Sequence, residues 1–365
     1  MEKSRFLISG GGTGGHIFPA ISIANELKNR IKNVKIEFVG SYNRMEMEKV
    51  PENGYTIKGL WISGIKRSFN ISNVLVPLKI IFSLLQSYII IKKFKPDFVI
   101  GTGGFASGPL LFTASKMSIS TLIQEQNCYP GLTNKILSHS AKHICVAYPK
   151  MEKYFPDSKL IFTGNPVRSE IISSKVNRDE AINYFNLKKS KKTLLILGGS
   201  LGAQKINEFV KDNLNEFKKF NIQIIWQCGT NQFDEYENLN SENIVIKPFI
   251  KKMEYAYNAS DLIVSRAGAS IISELCIVGK PVIFVPSPNV AEDHQTKNAM
   301  SLVNLNAAQL VHEKDLNLNF FRTFKKIILD DEYHRNLSKS IKKLAKPEAT
   351  IEIVNNILKS IKYAE

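Results

Sequence analysis

A glycine-rich turn that follows a strand-like run occurs three times in this chain. The three turns cover residues 10–16, 101–109 and 198–203. Because glycine has no side chain, backbone N–H groups in such a turn can approach phosphate oxygens closely. The N-terminus of the helix that follows adds partial positive charge. Three such turns, spread over two halves of the chain, predict a protein that handles two phosphorylated ligands.

Short strands and amphipathic helices alternate along the chain. Strands are predicted at residues 5–9, 34–39, 56–60, 97–100, 120–123, 143–146 and 160–162, and again at 193–197, 222–226, 243–246, 262–264, 282–285 and 309–311. This alternation predicts an α/β fold with parallel sheets covered by helices on both sides. A length of 365 residues exceeds one typical core, so we expect two doubly wound, Rossmann-like domains.

The boundary between the two domains is predicted at the turn-rich stretch 163–168. We therefore expect an N-terminal domain over residues 1–164 and a C-terminal domain over residues 165–349. A last amphipathic helix is predicted over residues 350–361, and its apolar face suits packing against the first domain. We assign the whole C-terminal region, residues 350–365, to the first domain.

The charge balance favours anionic partners. The chain has 49 Lys and Arg against 33 Asp and Glu, a formal net charge of +16. Such an excess suits nucleic acid, an anionic membrane surface or phosphorylated substrates, although a generally lysine-rich composition would also produce it. No recognised nucleic-acid-binding motif is present, so we expect no nucleic acid partner. The four cysteines form no CxxC pair, which fits a reducing compartment.

The first turn ends in His16, which stands beside the predicted phosphate cradle. A histidine there can act as a base at neutral pH, or it can serve only to hydrogen-bond the loop. The spacing of Gly10, Gly12 and Gly15 also fits the dinucleotide-binding fingerprint. That fingerprint needs an acid near residues 40–41, where none stands, because Glu37 falls inside the strand and Glu46 beyond it. The missing acid argues against a nicotinamide cofactor.

Two clusters in the second half suit a sugar nucleotide. Glu274 lies one turn into the helix that follows residues 265–269, where a carboxylate can accept hydrogen bonds from a ribose diol. The alternative is an acidic residue favoured by the helix dipole. A dense polar run at 286–299, which includes Gln295, follows a predicted strand end, where open α/β sheets bind ligands. Ordinary loop solvation is the alternative there.

The segment 61–95 combines apolar residues at helical spacing with a rim of lysine and arginine. This pattern is typical of a membrane-surface element, and a buried helix of the first domain is the alternative. His139 and His143 are four residues apart, but no third ligand stands near them, so no metal site is predicted.

Taken together, these motifs resemble the MurG family of N-acetylglucosaminyltransferases, over nearly the whole chain and in order. The matching stretches are 11–16, 101–109, 125–127, 164–168, 198–203, 265–269 and 293–299. The resemblance implies a GT-B fold, in which two doubly wound domains face each other across a cleft. Two departures stand out. Cys128 follows Asn127 where a small residue is commoner, and His294 precedes Gln295 where some members carry two glutamines.

The resemblance also implies substrates and contacts. UDP-N-acetylglucosamine would be the donor, with no cofactor and no metal required. Its predicted contacts in the second domain are Arg168 and Ser200 at the diphosphate, Ile250 at the uracil, Ala269 and Glu274 at the sugar and ribose, and Gln295 at the sugar hydroxyls. From the first domain, Asn127 and the loop residues Thr13, Gly14 and Gly15 would approach it. Gly11, Gly12, Gly103 and Gly104 would cradle the diphosphate of a lipid acceptor.

The implied reaction converts lipid I to lipid II in cell-wall synthesis. The 4-hydroxyl of the N-acetylmuramyl group would attack the anomeric carbon of the donor, with inversion to a β-1,4 bond and with His16 as candidate general base. The enzyme would sit peripherally on the cytoplasmic face of the cell membrane, held by segment 61–95. The alternatives are a glycolipid synthase of the same fold and a sugar-nucleotide-binding subunit without activity.

Overall fold

The computed structural model describes residues 4–64, 75–199 and 201–362. The predicted diphosphate contact Ser200, residues 65–74 of the predicted membrane segment, and the last three residues of the predicted C-terminal region lie outside the described residues. The chain divides into two compact units. The first consists of Met1–Val167 with Lys346–Glu365, and the second of Arg168–Ala345.

One parallel sheet forms the centre of the first unit. Its strands are β1 (Arg5–Gly10), β2 (Lys35–Ser41), β3 (Thr56–Leu60), β4 (Phe98–Gly103), β5 (Ser120–Glu125), β6 (His143–Val146) and β7 (Leu160–Phe162). Their spatial order is β3-β2-β1-β4-β5-β6-β7, and every neighbouring pair is parallel. The chain therefore returns to the same edge of the sheet after each strand, as the alternation of strands and helices predicts.

Helices cover both faces of this sheet. They are α1 (Gly14–Arg30), α2 (Glu46–Glu52), α3 (Val76–Phe94), α4 (Ser107–Lys116), α5 (Leu132–Leu137) and a C-terminal helix (Ala349–Lys362). Successive side chains of a strand point to opposite faces. Phe6 and Ile8 of β1 accordingly pack with α1 and with Ile353 of the C-terminal helix, whereas Leu7 packs with Leu110 of α4 on the other face.

The second unit repeats the plan with six strands. They are β8 (Thr193–Leu197), β9 (Gln223–Gln227), β10 (Ile244–Lys247), β11 (Leu262–Ser265), β12 (Val282–Phe284) and β13 (Gln309–Leu310). Their order is β10-β9-β8-β11-β12-β13, again with parallel neighbours. The helices are α6 (Ser169–Ile172), α7 (Arg178–Tyr184), α8 (Gln204–Asp212), α9 (Leu214–Lys218), α10 (Phe233–Tyr236), α11 (Met253–Ala259), α12 (Ala269–Val278), α13 (His294–Val303), α14 (Leu316–Leu329) and α15 (Asp331–Lys342).

The prediction of two doubly wound α/β domains is confirmed. Each predicted strand is present, and the largest difference is at β4, which runs to Gly103 instead of ending at residue 100. The extension arises because the first glycines of the turn keep pairing with β1, with a shift of register between Ser9 and Gly10. The predicted turn is therefore partly a strand end.

The loops of interest follow adjacent central strands in each sheet. β1 lies beside β4, and β8 lies beside β11. At such a point the order of strands reverses, so the loops on either side diverge and leave a crevice at the carboxyl edge. The turns at 10–16 and 101–109 flank this point in the first unit. The turn at 198–203 and the loop before α12 flank it in the second.

Candidate functional site

The first glycine turn joins β1 to α1 and is tied to the neighbouring β4 turn. The Gly11 N–H donates to the Gly103 carbonyl over 3.2 Å, and the N–H groups of His16 and Ile17 donate to the Thr13 carbonyl. The first N–H groups of a helix have no acceptor within the helix. Because α1 begins at Gly14, the amides of Gly14 and Gly15 are donors placed at the end of the helix that favours anions.

Two glycines of the β4 turn make room for the first turn. Gly103 and Gly104 have φ angles of +108° and +92°, which a residue with a side chain rarely adopts. A Cβ atom at Gly103 would lie 2.7 Å from the His16 ring, and one at Gly104 would lie 2.5 Å from the Gly11 carbonyl oxygen. Both glycines are therefore required for the two turns to pack together, independently of any ligand.

His16 is half-buried against this surface, and its ring has one defined hydrogen bond. The Nδ1 atom lies 2.9 Å from the Gly11 carbonyl oxygen. A carbonyl oxygen only accepts hydrogen bonds, so the neutral ring carries its proton on Nδ1 and leaves a lone pair on Nε2. The two interpretations of His16 from the sequence are thus compatible, since the bond to the loop prepares Nε2 to accept a proton.

Glu46 is a further candidate site residue, to which the sequence assigns no role. It is the first residue of α2, it is fully buried, and its carboxylate accepts N–H groups from Gly12 (2.8 Å) and Ser41 (2.9 Å). The predicted contact of Gly11 and Gly12 with an acceptor diphosphate stays a prediction. It would require both amides to leave the protein acceptors that they have here.

Asn127 is held by the carboxylate of Glu125, which precedes it at the end of β5. Glu125 Oε1 accepts the Asn127 N–H over 3.0 Å, and its Oε2 accepts from the side chain of Asn134 over 2.8 Å and from the Gly131 N–H. Glu125 is buried, so its charge is compensated by these neutral donors. The loop that carries Asn127 is thereby fixed at the carboxyl edge of the first sheet.

In the second unit, Gln227 connects two predicted donor contacts. Its side-chain amide donates to the Gly199 carbonyl over 3.0 Å in the third glycine turn, and its Oε1 accepts the Ile250 N–H over 2.9 Å. Ile250 is buried, and its N–H is committed to Gln227. The predicted contact of the Ile250 backbone with uracil stays a prediction, and with the N–H committed it would have to use the carbonyl.

Arg168, Glu274 and Tyr257 form a compact network. The Nε and Nη2 atoms of Arg168 donate to the two carboxylate oxygens of Glu274 over 2.9 and 3.0 Å, and the Tyr257 hydroxyl donates to Glu274 Oε2 over 2.9 Å. Burial raises the pKa of Tyr257 well above its ordinary value, and the negative charge of Glu274 adds to this effect. Burial lowers the pKa of Arg168, but the charge and hydrogen bonds of Glu274 outweigh it, so that the pKa lies above its ordinary value.

Gln295, in the first turn of α13, is hydrogen-bonded to the loops that follow β11 and β12 at the carboxyl edge of the second sheet. Its Oε1 atom accepts the Ser287 N–H over 2.9 Å and the Ala267 N–H over 3.3 Å. Over the described ranges, its Nε2 donates to no protein acceptor, so these two hydrogens are available to a ligand. Ala269 begins α12 next to this position, with Gly268 as its cap.

The predicted residues that the structure describes thus fall into two groups, one in each unit. His16, Thr13–Gly15, Gly103 and Gly104 surround the β1–β4 crevice of the first unit, with Asn127 on the loop after β5. The second group holds Arg168, Glu274, Ala269, Gln295 and Ile250. Neither Glu46, Gln227 nor Tyr257 was predicted. In the described part of the chain, no three His, Cys, Asp or Glu residues lie close enough to hold a metal.

Helix α3 buries two serines and leaves much of its apolar surface exposed. Ser83 and Ser87 are fully buried, and their hydroxyls donate to the carbonyls of Ile80 and Ser83 within the helix. In contrast, Leu85 is 55% exposed and Ile89 is 63% exposed. Further exposed apolar residues on the same helix are Leu78, Ile80, Ile81 and Phe82. A contiguous exposed apolar surface of this kind marks an interaction site. No described helix is both long and apolar enough to span a bilayer.

Comparisons with known proteins agree with the two-domain fold. The model of the glycosyltransferase family 28 N-terminal domain matches residues 6–146, and that of the C-terminal domain matches residues 193–353. A protein of Flavobacterium psychrophilum is 54% identical over 362 residues, which is 99% of each chain. One of Christiangramia forsetii is 53% identical over 99% of this chain and 98% of its own. Both are named UDP-N-acetylglucosamine--N-acetylmuramyl-(pentapeptide) pyrophosphoryl-undecaprenol N-acetylglucosamine transferase.

Solved structures show the same fold. MurG of Acinetobacter baumannii matches with a TM-score of 0.78 and 29% identity, over 98% of this chain and 99% of that one. The UDP-GlcNAc 2-epimerase of Neisseria meningitidis, solved with UDP-GlcNAc bound, matches with a TM-score of 0.67 over 98% of this chain and 100% of its own. At 15% identity, the second likeness concerns the fold alone.

Proposed function

The chain belongs to glycosyltransferase family 28, and from this membership we propose that it moves N-acetylglucosamine from UDP-N-acetylglucosamine to lipid I. The acceptor group is the 4-hydroxyl of the N-acetylmuramyl sugar, and the product is lipid II with a β-1,4 bond. The observation that carries this proposal is 54% identity over 99% of both chains with a relative named for that reaction. The two groups of site residues supply the functions that the reaction needs.

The second unit is the proposed donor site. Glu274 would accept hydrogen bonds from the ribose hydroxyls, and the free amide hydrogens of Gln295 would bind the hydroxyls of the sugar. The Ile250 carbonyl would accept from uracil, with Ala269 at the edge of the sugar. Binding requires the Arg168–Glu274 pair to rearrange, because each of these side chains is now the partner of the other.

The donor diphosphate gains negative charge as it leaves. In our proposal Arg168 neutralises this charge once the donor has displaced it from Glu274, with help from Ser200 and the N-terminus of α8 after the third glycine turn. Stabilisation of the leaving group then comes from protein groups, and the proposed reaction uses neither a metal nor a cofactor.

The first unit is the proposed acceptor site. Gly11, Gly12, Gly103 and Gly104 would form the turns that cradle the diphosphate of the lipid, and the start of α1 would add partial positive charge. Asn127 and the loop residues Thr13, Gly14 and Gly15 would approach the donor sugar. The base is His16, whose Nε2 carries the lone pair in the tautomer that the Gly11 bond selects.

The proposed step is a direct displacement. The muramyl 4-oxygen forms a bond to the anomeric carbon of N-acetylglucosamine while the bond from that carbon to the UDP oxygen breaks. The hydroxyl proton goes to His16 Nε2, and the electron pair of the broken bond leaves with UDP. Because attack and departure occur on opposite faces of the sugar, the configuration at the anomeric carbon inverts from α to β.

The exposed face of α3 is the proposed membrane contact. Its apolar side chains, with Lys79, Lys92 and Lys93 on the same helix, suit insertion at the level of anionic headgroups. An acceptor with a polyprenyl chain is confined to a membrane, so contact of the enzyme with that surface brings its site to the acceptor. We propose a peripheral position on the cytoplasmic face.

A comparison of acceptors tests the proposed function. The purified chain is given UDP-N-acetylglucosamine labelled in the sugar, together with either a lipid I analogue or diacylglycerol in matched vesicles. We expect label in the lipid I product and none in diacylglycerol. Transfer to diacylglycerol alone would identify a glycolipid synthase, and donor binding without any transfer would identify a non-catalytic subunit. Either result would overturn the proposal.

A further inference from the structure

Glu46 is a charged residue that is fully buried, whereas buried positions are usually occupied by apolar side chains. Its side chain has no exposed surface, and over residues 4–64, 75–199 and 201–362 no ion pair joins it to a cation. A buried charge without a cation is costly unless hydrogen bonds compensate it. The two backbone N–H groups of Gly12 and Ser41 provide that compensation.

The first glycine turn and the end of β2 leave a space for the side chain of Glu46. A Cβ atom at Gly11 would lie 2.2 Å from Glu46 Oε1, and one at Gly40 would lie 2.5 Å from Glu46 Cγ. Neither Gly11 nor Gly40 has the positive φ angle that would by itself demand glycine. The absence of a side chain at both positions therefore serves to admit Glu46.

A single peptide group connects Glu46 to His16. The Gly12 N–H, which donates to Glu46 Oε2 over 2.8 Å, and the Gly11 carbonyl, which lies 2.9 Å from His16 Nδ1, belong to the same planar peptide unit. In a trans peptide these two groups point in opposite directions. The carboxylate is thus bonded to one end of the peptide and the imidazole to the other.

We propose that Glu46 is a positioning residue that acts on His16 through the Gly11–Gly12 peptide. This inference rests on the proposed role of His16 as the base. The carboxylate holds the peptide in the orientation that presents its carbonyl to Nδ1, and it polarises the peptide so that the carbonyl becomes a stronger acceptor. Nδ1 therefore keeps its proton, Nε2 keeps its lone pair, and the positive charge formed on proton transfer is stabilised.

In many enzymes a carboxylate orients a catalytic histidine by a direct hydrogen bond. Here the Gly11–Gly12 peptide lies between the carboxylate and the histidine. Carboxylates that contact a functional histidine contribute between about 10-fold and 10⁴-fold. Since the intervening peptide weakens the effect, we expect the loss from Glu46→Gln to be about 10- to 100-fold in kcat. The KM for the donor should stay nearly unchanged, because Glu46 contacts no predicted donor residue.

A double-mutant cycle separates positioning from structural support. In the wild-type background Glu46→Gln should lower kcat by the stated factor. In the His16→Ala background it should have no further effect, because the group through which it acts has been removed. Equal losses in the two backgrounds would overturn the proposal. Asp261→Asn is the matched control, since Asp261 also accepts a backbone N–H, from Thr193, but lies in the other unit. Its loss should be the same in both backgrounds.

The tautomer of His16 can be read in the wild-type enzyme, which avoids any effect of Glu46→Gln on folding. Nitrogen-15 NMR of histidine-labelled protein, assigned by comparison with His16→Ala, reports which ring nitrogen of the neutral imidazole carries the proton. We expect Nδ1–H in the wild type and a mixture of tautomers in Glu46→Gln. An Nε2–H ring in the wild type would contradict the proposal directly.

These measurements distinguish failure of the inference from failure of the proposed function. If His16→Ala retains near-normal turnover with lipid I, the role of His16 as base is wrong, and the inference falls with it. If His16→Ala is impaired but the effects of Glu46→Gln and His16→Ala multiply, only the inference is wrong. If no acceptor is glycosylated by the wild type, the proposed function fails first.

Discussion

Arg168 and Glu274 form a bidentate ion pair, in which the guanidinium donates a hydrogen bond to each carboxylate oxygen, over 2.9 and 3.0 Å. Each residue is predicted to bind a different part of the donor. In the structure they compensate each other, and the Tyr257 hydroxyl donates to one of the two oxygens. In the proposed function, donor binding therefore exchanges one set of charged hydrogen bonds for another.

The first prediction concerns the charge of Glu274. Glu274→Gln removes the charged acceptor for the ribose hydroxyls, and hydrogen bonds to charged groups contribute about 1.5–3 kcal/mol. We expect the Kd for UDP-N-acetylglucosamine, measured by calorimetry, to rise by roughly 10- to 100-fold. Glu170→Gln is the control, because Glu170 is an exposed neighbour of Arg168 and should leave the Kd unchanged. Unchanged affinity in Glu274→Gln would remove this residue from the donor site.

The second prediction concerns Tyr257, whose hydroxyl donates to Glu274 Oε2 and which we propose acts on donor binding only through that carboxylate. Tyr257→Phe deletes the hydroxyl and leaves Glu274 Oε2 with one donor fewer, so the free energy of unfolding should fall by about 1–3 kcal/mol. The donor KM should rise while kcat stays within about twofold, because the residue acts on binding. The pKa of Tyr257 lies well above its ordinary value of 10.0, so the hydroxyl stays protonated and this contribution should be constant from about pH 6 to about pH 9.

Tyr55→Phe serves as the control for that experiment. The Tyr55 hydroxyl donates to Asn25 in the first unit over 2.7 Å, so its removal should lower stability by a similar amount. It should leave the donor KM unaltered. If both tyrosine variants changed the donor KM equally, the effect would be one of general stability, and Tyr257 would have no specific part in donor binding.

The third prediction concerns the exposed face of α3. Replacing Ile81, Leu85 and Ile89 with glutamine should weaken binding to anionic vesicles by at least about 100-fold, since burying one such side chain contributes about 1.5–3 kcal/mol. Flotation of vesicles measures this directly. The matched control is the pair Leu318→Gln and Leu329→Gln on α14, which are 80% and 70% exposed. Vesicle binding that survives the α3 changes but not the α14 changes would place the membrane contact elsewhere.

The fourth prediction concerns pH. His143 Nε2 lies 2.6 Å from the Ser360 hydroxyl of the C-terminal helix, and burial, followed by the charge of Lys142, lowers the pKa of His143 below its ordinary 6.5. The unfolded chain then binds this proton more readily than the folded one, so stability is retained above pH 6.5 and falls as the pH drops below it.

Thermal unfolding over a pH series measures this effect. His143→Gln should flatten the decline in Tm below pH 6.5, whereas His139→Gln, at an exposed position, should leave it as in the wild type. A decline that is identical in the His143→Gln variant would assign the acid sensitivity to other groups.

The fold could be predicted from the sequence because its signals are local. Strand-like runs, glycine turns and helical spacing all lie within a few residues, and the parallel order follows from their alternation. The prediction ends β4 at residue 100, whereas the strand continues to Gly103 because Gly101 and Gly103 still pair with β1. The local conformation of glycine cannot reveal that pairing, which depends on a strand about 90 residues away.

The site was predicted less completely, because its missing members act over long sequence distances. In the sequence, Glu46 can be compared only with the ribose-binding acid of the dinucleotide fingerprint. It does not match that acid, because it lies beyond the end of the second strand. Its contact with Gly12 spans 34 residues and depends on α2 turning its first side chain back toward β1. The one local feature that fits a buried Glu46 is the glycine at position 40, because a side chain there would collide with the glutamate. Tyr257 and Gln227 gave no signal at all, because a tyrosine or glutamine near a strand or helix is ordinary.

In α3, helical spacing identified an apolar stripe but could not say which face was buried. The structure buries Val76, Ile90 and Ile91 together with two serines whose hydroxyls bond within the helix, and it leaves the other large apolar side chains of α3 exposed. A serine that satisfies itself in this way can pack closely against a neighbouring helix, here α4, without leaving an unpaired polar group. Composition alone cannot distinguish such a helix from a core helix.

In the proposed function, this chain joins N-acetylglucosamine to the muramyl sugar of lipid I with inversion. The most direct measurement is the stoichiometry and linkage of the product formed by the purified chain from UDP-N-acetylglucosamine and a lipid I analogue. We predict one UDP released for each disaccharide formed, and a β-1,4 linkage by NMR of the anomeric proton. An α-linkage, UDP release with free N-acetylglucosamine alone, or no turnover would contradict the account.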